Sequence, residues 1–387
     1  MSDRYTLEVP EFGITFIVDR LRRERNELIG ELTVRCTLPG AKTVNGCLST
    51  ADFNFSSARA RQDRAKLLQE RARTNGKPDW YGLLEEFCQK VFEAEREGDP
   101  AVDLRTLPKP EPDDDIRVDG LTFPKRHPSI LFGDGGAAKS YFALYVAACL
   151  ARRGFNIAFF DWELCGEDHR GRLERFGPDM PLIHYVLCDR PLVTEVDRLQ
   201  RIVRERKIDY AIFDSIAVAC DGPPEAAEVA GKYFRAVRRI GCGSLHIAHV
   251  SKSSESSEDK PFGSAFWHNL ARCTWFVKGA DADQSSLRLG FYNKKANLGP
   301  IRPAVSFLVS FADQRTTFER VSISESPDLA GKLTIGQRLT EILKHGSKTV
   351  QDVASELEVK PDSIYKTVQR KDKQFILLEG GRIGLRG

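Results

Sequence analysis

The chain has 387 residues, enough for two or three domains, and its 41% apolar and 29% charged content is ordinary for a globular protein. A net charge of +3 excludes a global polyanion-binding surface, so any nucleic-acid contact has to come from local basic patches. Nine scattered cysteines without C-x-x-C spacing, a start without a signal-peptide core, and no apolar run of the about 18 residues a membrane helix needs argue against a disulfide framework, a zinc site and a membrane span, and point to a cytoplasmic protein.

Residues 1–98 read as a small α+β module. Tyr5–Val9, Ile14–Val18 and Leu28–Cys36 alternate in strand fashion, with a polar turn at Arg22–Asn26. Residues 55–73 and 79–97 have helical periodicity; the second carries Trp80, Leu84, Phe87 and Val91 on one stripe. Residues 99–116 hold Pro100, Pro108, Pro110, Pro112 and Asp113–Asp115, the composition of a linker.

From 117 to 322 apolar strands alternate with helical segments, the pattern of an α/β domain whose parallel sheet is covered on both faces. The strand-like runs are Ser129–Phe132, Ile157–Phe160, Ile183–Leu187, Tyr210–Phe213, Ser244–Ala248 and Thr274–Val277. Leu287–Tyr292 and Val305–Val309 suggest an antiparallel closing portion, and Ser251–Lys260 is a polar, low-complexity loop. In 333–387, three short helical segments precede Phe375–Leu378 and Arg382–Leu385, which flank Gly380-Gly381; this is the order of a winged helix-turn-helix.

The densest chemistry lies at 131–142. A buried strand ending at Phe132 runs into Gly133-Asp134-Gly135-Gly136-Ala137-Ala138-Lys139-Ser140-Tyr141, followed by an apolar helix. Glycines let a loop turn its amides toward phosphate oxygens, a lysine reaches the β- and γ-phosphates, and a hydroxyl holds magnesium. The residues that fit ATP with Mg²⁺ are therefore Gly133, Gly135, Gly136, Ala137, Ala138, Lys139, Ser140 and Tyr141. Ala138 stands where such loops carry glycine, so binding is expected and turnover is the property its methyl group puts at stake.

Phosphoryl transfer also needs a second carboxylate for the metal, a group that orients water and a cation for the transition-state charge. Asp214 ends the apolar run Tyr210–Phe213, the place of a metal-binding strand-end carboxylate; the alternative is a turn cap. Glu163 follows the strand 157–160 and can activate water, with Asp161 competing for the role and helix capping open to either. His249 and Lys252 follow the strand 244–248, where a polar tip can sense the γ-phosphate.

Taken in order, Glu163 with Glu167-Asp168-His169-Arg170-Gly171-Arg172-Leu173, Asp214-Ser215, His249-Val250-Ser251-Lys252, Gly263-Ser264, His268–Arg272 and Lys294–Gly299 resemble the RecA-like ATPases, in particular the RepA-type hexameric replicative helicases of plasmids and phages. The resemblance spans roughly 115–322. It implies that Lys139 and Ser140 bind MgATP, that Glu163 is the catalytic base and that Asp214 holds magnesium through water. It further implies that His249 links the γ-phosphate to a DNA-facing loop, and that Arg272, with Lys295 a second candidate, completes the site of a neighbouring subunit. A hexamer or filament acting on single-stranded DNA in replication follows from that.

The 251–260 loop sets Lys252 and Lys260 against Glu255, Glu258 and Asp259, an acidic balance for a strand-facing loop. In the last segment, Pro361–Lys371 has the place of a recognition helix, with Lys366 and Arg370 available to duplex DNA, although a winged helix can also dock protein. Three functions stay open: a DNA helicase motor, a nucleotide-switched DNA-binding scaffold for recombination, loading or defence, and a DNA-binding regulator with a decayed ATPase domain.

Overall fold

The computed structural model describes residues 5–73, 78–97, 101–109, 115–250, 261 and 263–386. The chain divides into two compact units, Met1–Lys109 and Pro110–Gly387. Among the described residues no helix is long and apolar enough to cross a membrane.

In the first unit, β1 (Tyr5–Val9), β2 (Ile14–Glu24), β3 (Glu27–Cys36) and β4 (Cys47–Asn54) form an antiparallel meander in that order. The helices α1 (Ala58–Ala72) and α2 (Trp80–Glu97) complete it, and strand and helix bury a common cluster including Phe16, Phe55, Leu68, Trp80 and Phe87. Ser57 caps α1 by accepting the Ala60 amide at 3.2 Å, satisfying one donor that the first turn leaves open.

The second unit opens with a hairpin, β5 (Asp115–Val118) and β6 (Leu121–Pro124), so the end of the 99–116 stretch belongs to a strand. Next come β7 (Pro128–Gly133), α3 (Lys139–Arg152), β8 (Ile157–Asp161), α4 (Gly166–Glu174), β9 (Ile183–Leu187), α5 (Leu192–Glu205) and β10 (Tyr210–Asp214). They are followed by α6 (Ile216–Ala219), α7 (Ala227–Ile240), β11 (Gly243–His249), α8 (Ala265–Leu270), β12 (Cys273–Ala280), β13 (Ser286–Ala296), β14 (Val305–Phe311) and β15 (Thr316–Val321). These strands make one nine-stranded sheet in the order β15-β14-β13-β12-β7-β11-β10-β8-β9. From β12 to β9 the pairing is parallel, and β13 to β15 continue it antiparallel.

Two apolar clusters pack against this sheet, consistent with strands buried on both faces. In one of them Phe142 of α3 is fully buried, with ring centroids of Phe291 at 4.3 Å, Phe307 at 5.4 Å and Phe318 at 5.6 Å. Truncating such a ring to Ala costs about 3–5 kcal/mol, so α3 is anchored directly behind the glycine-rich loop.

The chain then forms α9 (Pro327–Ala330), α10 (Ile335–Leu343), β16 (Lys348–Thr349), α11 (Val350–Glu356), α12 (Pro361–Arg370), β17 (Phe375–Leu378) and β18 (Arg382–Leu385). The three strands pair antiparallel in the order β16-β18-β17 around a separate core of Leu339, Val353, Ile364, Phe375 and Ile383.

Candidate functional site

Parallel pairing brings the ends of four strands into one row. His249 of β11 lies opposite Gly133 of β7, and Asp214 of β10 lies opposite Asp161 of β8, while β10 and β11 are themselves neighbours. The crevice beyond the carboxyl ends of such strands is where α/β sheets bind ligands. Gly133 is required by close approach, since a Cβ there would come within 2.2 Å of the Val277 carbonyl oxygen on β12.

The loop that follows is set by two left-handed residues, Gly136 (φ 79°) and Ala138 (φ 46°, ψ 30°). Ala138 adopts the conformation a glycine takes without cost, and an alanine pays about 1–2 kcal/mol for it. Its methyl is partly buried against the core cluster that includes Phe142, so the substitution acts through backbone strain as well as through bulk at the loop. No side chain caps α3. Its first amides are therefore left for an anion.

Lys139 is 5% exposed, and its Nζ donates to the Asp134 carbonyl at 2.6 Å. Burial lowers its pKa, opposed by the charges of Asp214, Asp134 and Glu163. Tyr141 turns away from the mouth: its hydroxyl pairs with Thr316 at 3.0 Å and its ring packs edge-on to Phe176 and Phe311. Only its backbone remains available to the loop.

Asp161 and Asp214 are both fully buried yet sit in opposite environments. Asp161 Oδ1 accepts the amides of Glu163 at 3.0 Å and Leu164 at 3.2 Å, while Oδ2 lies 3.1 Å from His169 Nε2 and accepts the Tyr185 hydroxyl at 3.1 Å. Burial alone would raise its pKa, but the His169 bond and the two amides outweigh it and hold the carboxyl below its usual value. Neither oxygen of Asp214 has a hydrogen-bond partner. Burial therefore pushes its pKa up to about 6, with the Ser140 side chain opposing the rise.

An orphaned, buried carboxylate facing the hydroxyl that opens α3 fits a divalent cation, and hard oxygen donors suit Mg²⁺. Asp161, His169 and Asp214 each present a ligand atom within 4.8 Å of the others. Asp161 Oδ2 is already engaged by His169 Nε2, which leaves Asp214 with Ser140 as the open oxygen pair; His169 Nδ1 also has no partner.

Glu163 projects from the turn that Asp161 fixes. Its Oε1 accepts the Ser215 hydroxyl and lies 3.8 Å from His249 Nε2. The His249 ring first, and then the Ser215 hydroxyl, hold its carboxyl below the usual glutamate value against the effect of burial. Between Asp161 and Glu163, only Glu163 has the half-exposed, lightly bonded carboxylate that a base for water needs.

Arg272 and Lys295 lie elsewhere. The Arg272 amide donates to the Pro128 carbonyl at 2.9 Å, at the start of β7, five residues before Gly133. At about 3.3 Å per residue that is about 16 Å from the loop, at the opposite end of the strand. Lys295 Nζ donates to the carbonyls of His268 at 2.9 Å and Asn269 at 2.7 Å, tying the end of α8. Burial, with the nearby Arg272 charge, lowers its pKa. Its ammonium thus holds the segment that carries Arg272. Lys252 and Lys260 lie outside the described residues. Lys366 and Arg370 are exposed on α12, one helical turn apart.

Sequence reasoning missed Ser215 and the His169–Tyr185 support of Asp161. The only signal for Ser215 was its place directly after Asp214; the other two contacts are tertiary.

A family model described as an AAA domain matches residues 93–255, less than half of the chain but including the loop, Glu163, Asp214 and His249. Among solved structures, one titled ATPase Domain of G40P is similar over 62% of this chain and 99% of that chain, at 13% identity and a TM-score of 0.43. No curated protein matches. The parallel sheet order, the glycine-rich loop at the end of β7 and the strand-end carboxylates are those of a P-loop α/β nucleotide-binding fold, and most of the stretch matched by the AAA-domain model falls on this part of the chain.

Proposed function

We propose that the chain binds and hydrolyses ATP with Mg²⁺ and acts on DNA as an oligomer, in the manner of a RepA-type replicative helicase translocating on single-stranded DNA. The observation that carries this reading is the row at the sheet edge: Lys139, Asp214, Glu163 and His249 meet at one end, while Arg272 stands at the other.

Each side chain then has a task set by its surroundings. Lys139 leaves the Asp134 carbonyl to neutralise the β- and γ-phosphates. Ser140 and Asp214 would hold Mg²⁺, which would supply charge neutralisation for the phosphates. Glu163, kept ionised by His249 and Ser215, orients and deprotonates the attacking water. His249 touches both this base and the strand that leads to residues 251–260, so a change at the γ-phosphate can pass along β11. Arg272 cannot reach the loop of its own chain and serves the site of a neighbouring copy, positioned by Lys295. Such a cation is worth about 10³–10⁵ in rate where present.

The segment 333–387 is assigned as a winged helix, with α12 as the helix presented to duplex DNA. Ile364 and Val368 face its core, and Tyr365, Lys366, Gln369 and Arg370 are exposed. The N-terminal unit of residues 1–98 carries no assignment.

A second reading keeps binding and removes the motor, leaving a nucleotide-switched DNA scaffold. The left-handed Ala138 favours it, since a strained loop can bind phosphate in a geometry unsuited to turnover. The test is ATP hydrolysis by the purified chain, with and without single-stranded DNA, over a range of protein concentration. DNA-stimulated turnover that rises steeply with concentration supports the interface-assembled motor. Tight binding with negligible turnover in both conditions selects the scaffold.

A further inference from the structure

The short helix α8 is held at both ends. At its start the Pro224 carbonyl, on the segment between α6 and α7, accepts two donors: the Ser264 amide at 3.0 Å and the Trp267 indole Nε1–H at 2.7 Å. Gly263 makes that approach possible. It is left-handed (φ 97°), and a Cβ there would come within 2.4 Å of the same carbonyl oxygen. The Ser264 side chain then caps the helix by accepting the Phe266 amide at 3.2 Å. Trp267 itself is fully buried, with the rings of Tyr233 and Phe234 on α7 at 5.2 and 5.8 Å. A buried indole N–H needs a partner, and this one takes its partner from a turn 43 residues away.

At its far end α8 offers the His268 and Asn269 carbonyls to Lys295 Nζ. The main chain of Arg272 is set by the sheet, its amide donating to Pro128 and its carbonyl accepting the Asn297 amide, both at 2.9 Å. The direction of its side chain is set differently. Lys295 lies close enough to Arg272 for that charge to lower the Lys295 pKa. Like charges repel, so an ammonium pinned to α8 leaves the guanidinium only the directions away from it. The position of α8 thus decides the position of Lys295, and through it where Arg272 points.

We infer that Trp267 is a positioning residue for the arginine a chain lends to its neighbour: by gripping the Pro224 carbonyl it fixes α8, then Lys295, and so the aim of Arg272. The inference rests on the proposed service of Arg272 to a neighbouring copy. Fully buried, Trp267 meets no nucleotide itself, and its effect is felt in the neighbouring copy's site and not in its own.

The experiment is phosphate release by mixtures of two full chains. Arg272→Ala supplies intact sites with no arginine to lend, and Glu163→Gln supplies the arginine from a chain that cannot turn over. Trp267→Phe keeps a ring in the core and removes the N–H. Added to the Glu163→Gln chain, it should cut the recovered rate about tenfold or more, since a misplacement of about 1 Å can cost about 10²-fold. Added to the Arg272→Ala chain, it should leave the recovered rate unchanged. Alone, it should leave ATP affinity, measured by calorimetry, at the parent's value. An equal loss in both arrangements, a loss in neither, or weakened ATP binding overturns the inference. No recovery with the unmodified pair removes the shared site itself, and the inference with it. Should Trp267→Phe not fold, Gly263→Ala opens the same contact from the other side, its methyl pressing on the Pro224 carbonyl, and the same asymmetry is expected.

Discussion

Replacing Asp214 by Asn should make the ligand-free protein more stable at neutral and alkaline pH while destroying its hydrolysis. Asp214 is fully buried, neither oxygen has a partner, and its pKa is raised from 3.8 to about 6. A folded-state pKa above the unfolded one means that this group favours folding below pH 3.8 and loses that advantage as pH rises through 6. About two pKa units at 1.36 kcal/mol each give about 3 kcal/mol lost by pH 8. Asn has nearly the same shape and no charge to bury. The stability difference between the variant and the parent should therefore grow by up to about 3 kcal/mol between pH 4 and pH 8. Urea unfolding in chelator at several pH values measures it. Added Mg²⁺ with nucleotide should close the gap by stabilising only the parent, because binding to the native state adds stability by mass action. A difference that does not vary with pH would refute the view that Asp214 waits ionised and unpaired for a cation.

Glu163→Gln should keep ATP affinity within a few-fold and lower turnover by about 10²–10⁴, measured by calorimetry and phosphate release. Ser215→Ala removes one of the bonds holding the Glu163 pKa down, so the acid limb of the rate profile should move to higher pH; an unmoved limb would separate Ser215 from the base. Arg272→Ala should lose about 10³-fold or more in turnover and regain part of it when mixed with Glu163→Gln chains, whereas no recovery would argue against a shared site. Ala138→Gly relieves about 1–2 kcal/mol of left-handed strain but adds unfolded-state freedom and loses a partly buried methyl. Its melting temperature should shift by only a few degrees, and a turnover gain above about tenfold would show that the methyl obstructs the phosphates.

The central strands were legible because burial on both faces writes them as unbroken apolar runs: Tyr210–Asp214 and Ile157–Asp161 are buried along their whole length. The strands that were not legible are β4, the short β5, β6 and β16, and β15. Of these, β4 and β15 each close one edge of their sheet, and the exposed Thr50-Ala51-Asp52 and Glu319-Arg320 stretches have the polarity that keeps an edge from pairing with other chains. The loop, Glu163 and Asp214 could be read from position at a strand end. Which of Asp161 and Glu163 is the base could not be, because the answer rests on His169, eight residues on, and Tyr185, 24 residues on. Lys295 likewise reads as a free cation until its bonds to the α8 carbonyls are seen.

Three carboxylates within one sheet edge thus receive three characters from their neighbours alone. Asp161, with four donors, is a fixed anion that shapes the turn carrying Glu163. Glu163, half exposed beside His249 and Ser215, is an anion free to meet water. Asp214, buried with only the Ser140 hydroxyl facing it, is the one whose charge is unstable until a cation arrives. Environments that push neighbouring pKa values apart are how one site separates holding, activating and binding roles among chemically equal groups. The same logic extends along β7: the strand that ends in the loop begins beside Arg272, so one rigid element fixes both the pocket a chain offers and the cation it would lend. Because about 16 Å of strand separates them, no rearrangement of side chains can unite the two within a single copy. On the proposed reading, concentration dependence of turnover is therefore a consequence of sheet geometry, and a monomer diluted below assembly should bind ATP normally and hydrolyse it at the slow rate of a site without its arginine.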